Sequence, residues 1–378
     1  MPDFSPEDLA FMQEALRLAA YGLNTTTPNP RVGCVLVKDG RIVGQGWHEK
    51  TGGPHAEIVA LQDAGSDARG ATAYVTLEPC SHYGRTGPCA DALIKAGIHK
   101  VVAAMRDPNP QVSGAGLERL AAAGIATRVG LMEEEARELN IGFVSRMTRG
   151  RPWVRLKIAA SLDGKTALAD GQSQWITGEA ARQDSHAFRA RACAILTGSG
   201  TVLSDDPQLN VRGIATPRQP LKILLDSQLR IPPTARALHG DHTIIVHARH
   251  DPERAAALEA TGAVLVALPD ARMPGKIDLP ELLRKLAKHK VNELHIEAGA
   301  KLSGALIAAG LADELLCYLA PSLLGNTALP MFTLPSPTRL ARRKRLHFHD
   351  IRQIGEDLRI LARFAPDDIA IPNGIRKP

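Results

Sequence analysis

The chain has 378 residues, an apolar content of 44% and a formal net charge of +6 at pH 7. This length is too great for one hydrophobic core and predicts two domains, while the apolar fraction excludes a protein that is disordered by composition. Basic residues are scattered along the chain and aromatic residues make up only 4% of it, so a stacking platform for nucleic acid is not indicated.

The start of the chain, residues 1–8, lacks the basic and apolar segments of a secretory signal. No apolar run reaches the length that would span a membrane. The five cysteines are odd in number and do not suggest a disulfide framework. We therefore expect a cytoplasmic protein without a membrane partner.

Strands and helices alternate along most of the chain. Ser5, followed by proline and two acidic residues, predicts a helix start, because its hydroxyl can cap the first free N–H groups. Asp39-Gly40 between two apolar runs predicts a β-hairpin, and the alternation after it predicts α/β layers. The pattern restarts after the linker candidate Arg149-Gly150-Arg151-Pro152, so we expect one domain at 1–147 and another at 152–366.

His55, Cys80 and Cys89 predict a metal site in the first half. Each cysteine follows a proline, and Cys89 opens a predicted helix whose N-terminus favours a thiolate. One imidazole and two thiolates can hold one zinc ion per chain and leave its fourth position to water, as catalytic sites do. Glu57 is placed to move protons without being a ligand. The pattern is typical of zinc deaminases, which attack a ring carbon that bears an amine.

The residues alone leave alternatives open. A nucleic-acid base deaminase with an accessory binding domain uses the same ligands, although such enzymes usually have P-C-x-x-C and eight residues separate Cys80 from Cys89 here. A structural zinc in a non-catalytic protein needs a fourth ligand, for which His82 is the nearby candidate. We favour His82 and Arg85 as residues that shape the pocket or contact the substrate. Asn29 caps its loop in one interpretation; in the other, which the family resemblance given next implies, its amide holds the substrate.

Three motifs carry a resemblance to a known family: Thr27-Pro28-Asn29-Pro30, the run EPCSHYGRTGPC from Glu78 to Cys89, and Asp107-Pro108-Asn109-Pro110. With them the chain resembles the bifunctional riboflavin-biosynthesis deaminase/reductase family over nearly its whole length. The family often has proline at Gly87 and alanine at Thr51, and neither position is a proposed ligand. The resemblance implies a cytidine-deaminase-like three-layer domain, followed by an α/β domain similar to dihydrofolate reductase.

The second half carries further motifs of this family, at residues 157–165, 173–177 and 201–207 and at the turn after Glu297. The resemblance implies that NADPH contacts Ala159, Trp175, Thr201, Asp205, Ser227 and the turn of Gly299, Ala300, Lys301, Leu302, Ser303, Gly304 and Ala305. It implies that Ser173, Arg189, Leu209, Arg212 and Glu297 line the substrate site.

The residues themselves are less specific here. The turn after Glu297 is not a G-x-G-x-x-G fingerprint and by itself indicates only an anion site. Trp175 is either a platform for a ligand or a core tryptophan. Arginines suit the implied substrate, because guanidinium forks bind phosphate through two hydrogen bonds.

The resemblance implies a two-step reaction on a phosphorylated small molecule. The first step is deamination of 2,5-diamino-6-(5-phosphoribosylamino)pyrimidin-4(3H)-one, with Glu57 as the proton shuttle. The second is NADPH-dependent reduction of the ribosyl group to give 5-amino-6-(5-phosphoribitylamino)uracil. The resemblance also implies a homodimer or higher homo-oligomer. We expect no nucleic-acid partner and interpret the basic cluster from Arg339 to Arg345 as a solvated face.

Overall fold

The structure, a computed structural model, describes residues 4–83, 87–110, 112–240 and 242–365. The chain divides into two compact units, one ending at Thr148 and one beginning at Arg149, the first residue of the predicted linker. Among the helices of the described residues, none is both long enough and apolar enough to cross a membrane.

The first unit is built on a mixed sheet with helices on both faces. Its helices are α1 (Pro6–Tyr21), α2 (Ala56–Ala64), α3 (Cys89–Ala96), α4 (Ala115–Ala122), α5 (Glu133–Leu139) and α6 (Ile141–Arg149), the last of which ends at the division. Its strands are β1 (Gly33–Lys38), β2 (Arg41–Trp47), β3 (Thr72–Val75), β4 (Lys100–Ala103) and β5 (Ala126–Val129). In the described part of the chain the sheet order is β2-β1-β3-β4-β5, and β3, β4 and β5 run parallel.

Alternation along the strands divides the core into two layers. Leu36 of β1 packs in a cluster with residues of α2, α3 and α4, whereas its neighbours Val35 and Val37 pack with residues of α1 and α5 on the other face. The predicted three-layer α/β arrangement is confirmed. The predicted features at its start are confirmed too: the Ser5 hydroxyl accepts the Asp8 N–H, and the tight turn after β1 lies at Asp39-Gly40.

Two glycines of β2 bring α2 close to the sheet. A Cβ on Gly44 would lie 2.4 Å from the carbonyl oxygen of Ala60, and one on Gly46 would lie 2.6 Å from the Ala60 nitrogen. Only glycine allows this approach. The packing fixes the start of α2, directly after His55, against the sheet.

The second unit contains a larger sheet. Its helices are α7 (Glu179–Arg191), α8 (Ser199–Asp205), α9 (Pro252–Glu259), α10 (Leu279–Lys288) and α11 (Ala300–Ala308). Its strands are β6 (Trp153–Ser161), β7 (Lys165–Ala167), β8 (Ala194–Gly198), β9 (Leu221–Leu225), β10 (Thr243–His247), β11 (Val264–Ala267), β12 (Glu293–Ile296), β13 (Glu314–Ala320), β14 (Leu329–Pro330), β15 (Leu346–Ile354) and β16 (Asp357–Phe364).

Within the described residues, nine strands form one sheet in the order β11-β10-β9-β8-β12-β6-β13-β16-β15. The strands from β11 to β13 run parallel, so their carboxyl ends lie along one edge. Apolar residues of α10 and α11 cover one part of the sheet, and those of α8 and α9 cover another. In an open parallel sheet of this kind, the carboxyl edge is where ligands bind.

The alternation of strands and helices expected in the second half is present as far as β12, but the antiparallel part of the sheet was not predicted. β13 pairs with β16, which in turn pairs with the edge strand β15. The basic cluster from Arg339 to Arg345 is exposed, as expected of a solvated face.

Candidate metal centre and reductase site

His55, Cys80 and Cys89 converge on one point of the first unit. Their ligand atoms all lie within 4.8 Å of one another, with His55 Nδ1 3.2 Å from Cys89 Sγ and 3.7 Å from Cys80 Sγ. A tetrahedral zinc ion with bonds of about 2.0–2.3 Å separates its ligands by roughly 3.3–3.8 Å. The three predicted ligands therefore fit zinc with small adjustments.

Local structure explains why these three side chains meet. His55 is the residue before α2, and Cys89 is the first residue of α3, so both lie at helix N-termini. Cys80 follows β3, and its sulfur accepts the backbone N–H of Cys89 at 3.3 Å. Hydrogen bonding from Cys89 and His55 lowers the pKa of Cys80 despite its burial, which favours the thiolate that a metal requires.

Glu57 lies on the first turn of α2, beside the cluster, and is only 3% exposed. Burial raises the pKa of its carboxyl group to about 7, with the neighbouring His55 opposing that shift. Glu57 does not belong to the three-residue cluster. A buried carboxyl group beside such a cluster is suitably placed for proton transfer.

The first unit also contains a histidine that sequence analysis missed. His48 is buried, with Nδ1 2.9 Å from the carbonyl oxygen of Pro54 and Nε2 3.0 Å from Nδ2 of Asn29. The carbonyl requires the proton on Nδ1, so Nε2 accepts from the Asn29 amide. The ring packs edge-on against that of His55, with centroids 5.5 Å apart. Through His48, Asn29 is thus connected to the metal site. The only feature of the sequence that could have indicated His48 was its position directly after β2.

His82 does not join the metal cluster. Among the described residues, the group that can hold a metal consists of His55, Cys80 and Cys89, and the His82 side chain is exposed. This geometry therefore does not provide a closed structural site in which His82 is the fourth ligand. Arg85, the other residue interpreted as shaping the pocket, lies outside the described residues.

In the second unit, the carboxyl edge of the sheet brings several of the predicted residues together. Ala159 lies near the end of β6, Ser227 follows β9, and Glu297 follows β12. Thr201 and Asp205 lie on α8, the helix that begins directly after β8. Because β9, β8, β12 and β6 are parallel neighbours, these positions share one edge.

Arg189 and Glu297 form a two-pronged ion pair at this edge. Arg189 Nη2 lies 2.7 Å from Glu297 Oε2, and its Nε binds the other oxygen at 2.5 Å. Burial opposes ionisation of Glu297, but Arg189 and Lys157 hold its pKa well below the usual range. Nε2 of His295, a fully buried side chain, lies 3.2 Å from Glu297 Oε1. The carboxylate therefore stays charged in a cationic setting.

Trp175 is not a core residue. It is 69% exposed, and the guanidinium of Arg182 lies over its ring, 4.5 Å from the centroid. Ser173, two residues earlier, is half-buried. The core interpretation of Trp175 is wrong, and its ring is available to a ligand.

The turn from Gly299 to Ala305 and the residue Leu209, both predicted to contact a ligand of the reductase, are only partly accessible. In the turn from Gly299 to Ala305, Ser303 and Gly304 are buried, and a Cβ on Gly304 would lie 2.0 Å from the Thr333 carbonyl oxygen. The first turn of α11 can still present free N–H groups, because its N-cap Gly299 provides no side-chain cap. Leu209 is 2% exposed and packs in the core, so only its backbone can face a ligand.

A buried carboxyl group beside an imidazole-dithiolate cluster on a three-layer α/β fold defines a zinc-dependent deaminase of the cytidine deaminase class. In agreement, residues 5–105 match the family described as the cytidine and deoxycytidylate deaminase zinc-binding region. Residues 152–360 match the RibD C-terminal domain.

Similar proteins match both halves together. The chain is 50% identical to the riboflavin biosynthesis protein RibD of Haemophilus influenzae, covering 95% of this chain and 98% of that protein. It is 48% identical to RibD of Escherichia coli, covering 93% and 98%. The solved structure of Acinetobacter baumannii RibD, form 1, covers 95% of this chain and 99% of its own, with 44% identity and a TM-score of 0.88.

A Thermotoga maritima structure, described as a diaminohydroxyphosphoribosylaminopyrimidine deaminase/5-amino-6-(5-phosphoribosylamino)uracil reductase, is 33% identical with a TM-score of 0.84, covering 95% of this chain and 99% of its own. The chain belongs to the RibD family of bifunctional riboflavin-biosynthesis proteins. It is an enzyme with a zinc-binding deaminase domain and a reductase domain that uses NADPH. This assignment sets aside the nucleic-acid deaminase alternative.

Proposed function

We propose that residues 1–147 deaminate 2,5-diamino-6-(5-phosphoribosylamino)pyrimidin-4(3H)-one and that residues 152–366 then reduce the ribosyl group of the product. The final product is 5-amino-6-(5-phosphoribitylamino)uracil. The observation that carries the proposal is the cluster of His55, Cys80 and Cys89 beside the buried Glu57. The two reactions named for the Thermotoga maritima relative support the choice of substrate.

In the deaminase site, His55, Cys80 and Cys89 would hold one zinc ion. Zinc bound there supplies an activated water as nucleophile. Glu57 accepts a proton from the attacking water and delivers it to the amine nitrogen, which leaves as ammonia. The second proton of the water goes to the ring nitrogen as the carbonyl forms. The amide of Asn29, which is hydrogen-bonded to His48, would orient the pyrimidine.

In the reductase site, the chain binds and orients two ligands. Bound NADPH would supply a hydride to C1′ of the ring-opened ribosylamino group, whose C1′–N double bond would become a single bond as the nitrogen takes up a proton from solvent. The exposed ring of Trp175 and the first turn of α11 are available to the cofactor, together with Ala159, Thr201, Asp205 and Ser227. Arg212 binds the phosphate, while Ser173, Arg189, Glu297 and the backbone of Leu209 line the substrate site.

We also propose that the protein is cytoplasmic and forms a homodimer or a higher homo-oligomer. None of the five cysteines, which all lie in the described residues, forms a disulfide, and this suits a reducing compartment. Light scattering of the purified protein tests the assembly, and a monomer at micromolar concentration would refute it. Fractionation of the producing cells tests the location.

The experiment that tests the proposed function follows both products in sequence. Zinc-loaded protein is incubated with the diaminopyrimidine substrate, and ammonia is measured before and after NADPH is added. We expect ammonia first and NADPH oxidation afterwards. Glu57→Ala should abolish ammonia release but still oxidise NADPH when it is given the deaminated product.

Each failure identifies a different error. Ammonia without NADPH oxidation would reject the reductase half of the proposal. Ammonia release by Glu57→Ala at the wild-type rate would reject Glu57 as the proton shuttle. Zinc lost from His82→Ala would restore the structural-zinc interpretation, whereas retained zinc and activity would dismiss it.

A further inference from the structure

The loop at residues 209–213 is held by one face of α7. Nε2 of Gln183 donates to the carbonyl oxygen of Gly213 at 2.8 Å. Nδ1 of His186 accepts the backbone N–H of Arg212 at 3.1 Å, and Nη1 of Arg189 donates to the carbonyl oxygen of Asn210 at 2.9 Å. Positions 183, 186 and 189 are three residues apart and so lie on one side of the helix. We call these three contacts the α7 clamp.

The same loop is held from its other side. Oε1 of Gln219 accepts the backbone N–H of Val211 at 2.7 Å, and its Nε2 donates to the carbonyl oxygen of the same residue at 3.4 Å. Leu209 anchors the start of the loop in the core. With its backbone polar groups bonded on both sides, the loop has little freedom to move.

His186 can act in the α7 clamp only as a neutral imidazole. Its Nδ1 is the acceptor, so the proton is on Nε2. Burial, with the cations of Arg189, Arg212 and Lys157, lowers the pKa of His186 to about 4, against the attraction of Glu297. The surrounding cations disfavour a second proton on the imidazole, so the ring stays neutral and Nδ1 remains an acceptor.

The loop presents Arg212 to a strongly cationic region. The side chain of Arg212 is exposed, and its Nη1 is steadied by Oδ1 of Asn210. Burial and repulsion from Arg189 and Arg236 lower the pKa of Arg212. A phosphate dianion bound here would relieve that repulsion and use the guanidinium fork.

We propose that His186 and Gln183 are positioning residues of the reductase, which fix the backbone at Arg212 so that its guanidinium meets the substrate phosphate without reorganisation. The inference rests on the proposed role of Arg212 in substrate binding. A side chain that is already held in its binding geometry loses little conformational entropy on binding, so the ligand binds more tightly. His186 contacts the backbone of Arg212, so its effect goes through the loop.

The test compares two variants on two substrates. His186→Leu removes the acceptor, and His186→Asn can restore one through its amide oxygen. With the deaminated phosphorylated substrate, we expect His186→Leu to raise the reductase KM about tenfold and to change kcat less than about twofold. His186→Asn should recover most of the affinity. With the same substrate lacking its phosphate, His186→Leu should have no effect on KM.

The exposed Ala187 provides the matched control on the same helix, and Ala187→Asn should leave KM unchanged. Hydrogen exchange gives a second readout: the Arg212 amide should exchange faster in His186→Leu than in the wild type or in Ala187→Asn. If the wild type is active and His186→Leu has an unchanged KM, the inference is wrong and the proposed function stands. The same holds if the KM of His186→Leu rises equally for both substrates. A wild type that cannot reduce the deaminated product overturns the proposed function and this inference together.

Discussion

The carboxylate of Glu78 accepts the backbone N–H of Gly116 at 2.9 Å, and a Cβ on Gly116 would lie 1.9 Å from the carbonyl oxygen of Pro79. The other oxygen of Glu78 accepts the N–H groups of Asp107 and Gly114, at 3.1 and 2.9 Å. The start of α4 is thus packed onto the segment that leads to the metal ligand Cys80. The position of that ligand depends on a contact more than thirty residues away in sequence.

Gly116→Ala should impair the deaminase and spare the reductase. The added methyl meets backbone rather than a movable side chain, so the Pro79-Cys80 segment must shift away from its position at the metal cluster. We expect zinc affinity to fall about tenfold or more, by competition with a chelator, and ammonia release to fall with it. Reduction of the deaminated product should continue.

Gly87→Ala is the matched control for this substitution. A Cβ at Gly87 meets no atom of the described residues within 4 Å, although Gly87 lies two positions before Cys89. Its zinc affinity should equal that of the wild type. Normal zinc binding by Gly116→Ala would contradict a role of the α4 contact in placing Cys80.

Cys89→Ser should remove zinc and deaminase activity together. The substitution replaces a thiolate ligand by a hydroxyl group, which is a poor ligand for zinc. We expect ammonia release to fall by more than about a hundredfold and the metal content, measured by atomic emission, to fall below one zinc per chain. Cys193→Ser, in the second unit, changes a thiol outside the cluster and should leave zinc content unchanged.

Trp175→Ala should weaken NADPH binding without destabilising the protein. Its ring is mostly exposed, so truncation opens no core cavity, while the platform for a ligand is lost. We expect the NADPH Kd to rise about tenfold by calorimetric titration, with Tm unchanged. Leu162→Ala, at another exposed apolar side chain of this unit, is the control. An unchanged Kd would remove Trp175 from the cofactor site.

Tyr74→Phe should destabilise the first unit most near neutral pH. The Tyr74 hydroxyl donates to buried Asp8 Oδ1 at 2.6 Å. Burial alone would raise the pKa of Asp8, but this bond, those from Ser5 and the charge of Lys100 together lower it. A lowered folded-state pKa contributes stability above the unfolded value of about 3.9 and loses it as pH falls through the folded value.

The expected cost of Tyr74→Phe at pH 7 is about 1.5–3 kcal/mol in the free energy of unfolding, because a hydrogen bond to a charged group is lost. The cost should be smaller at pH 3. Calorimetry of both proteins at the two pH values measures it. A cost that grows as the pH falls would contradict the assignment of a charged Asp8 as the acceptor.

Local signals in the sequence were sufficient for the first unit and for the metal ligands. The Ser5 cap, the turn at Asp39-Gly40 and the ligands His55, Cys80 and Cys89 all follow from short-range patterns, and the structure contains them. Long-range partners gave no such signal. The four backbone donors of Glu78 and the bond of Asn29 to His48 depend on segments that meet only in the folded chain.

The second unit shows why exposure limits prediction from sequence. Phe348 and Ile351 of the edge strand β15 are 72% and 50% exposed. The apolar residues of this strand therefore do not indicate a buried face, and the strand could not be predicted from them. Trp175 presents the converse problem, since an aromatic residue in a loop gives no periodicity that separates a core position from a ligand platform. The residues of the reductase site could be predicted only from the motifs of the family.

The position of β12 bears on how this protein is made on the ribosome. β12, at residues 293–296, lies between β8 and β6, whose residues, 194–198 and 153–161, are synthesised much earlier. The five strands of the first unit all lie between residues 33 and 129. A nascent chain can therefore complete the deaminase sheet early, while β8 must wait with one edge unpaired and β6 with both edges unpaired until most of the chain has emerged. The reductase half is the part of this protein most in need of chaperone protection during translation.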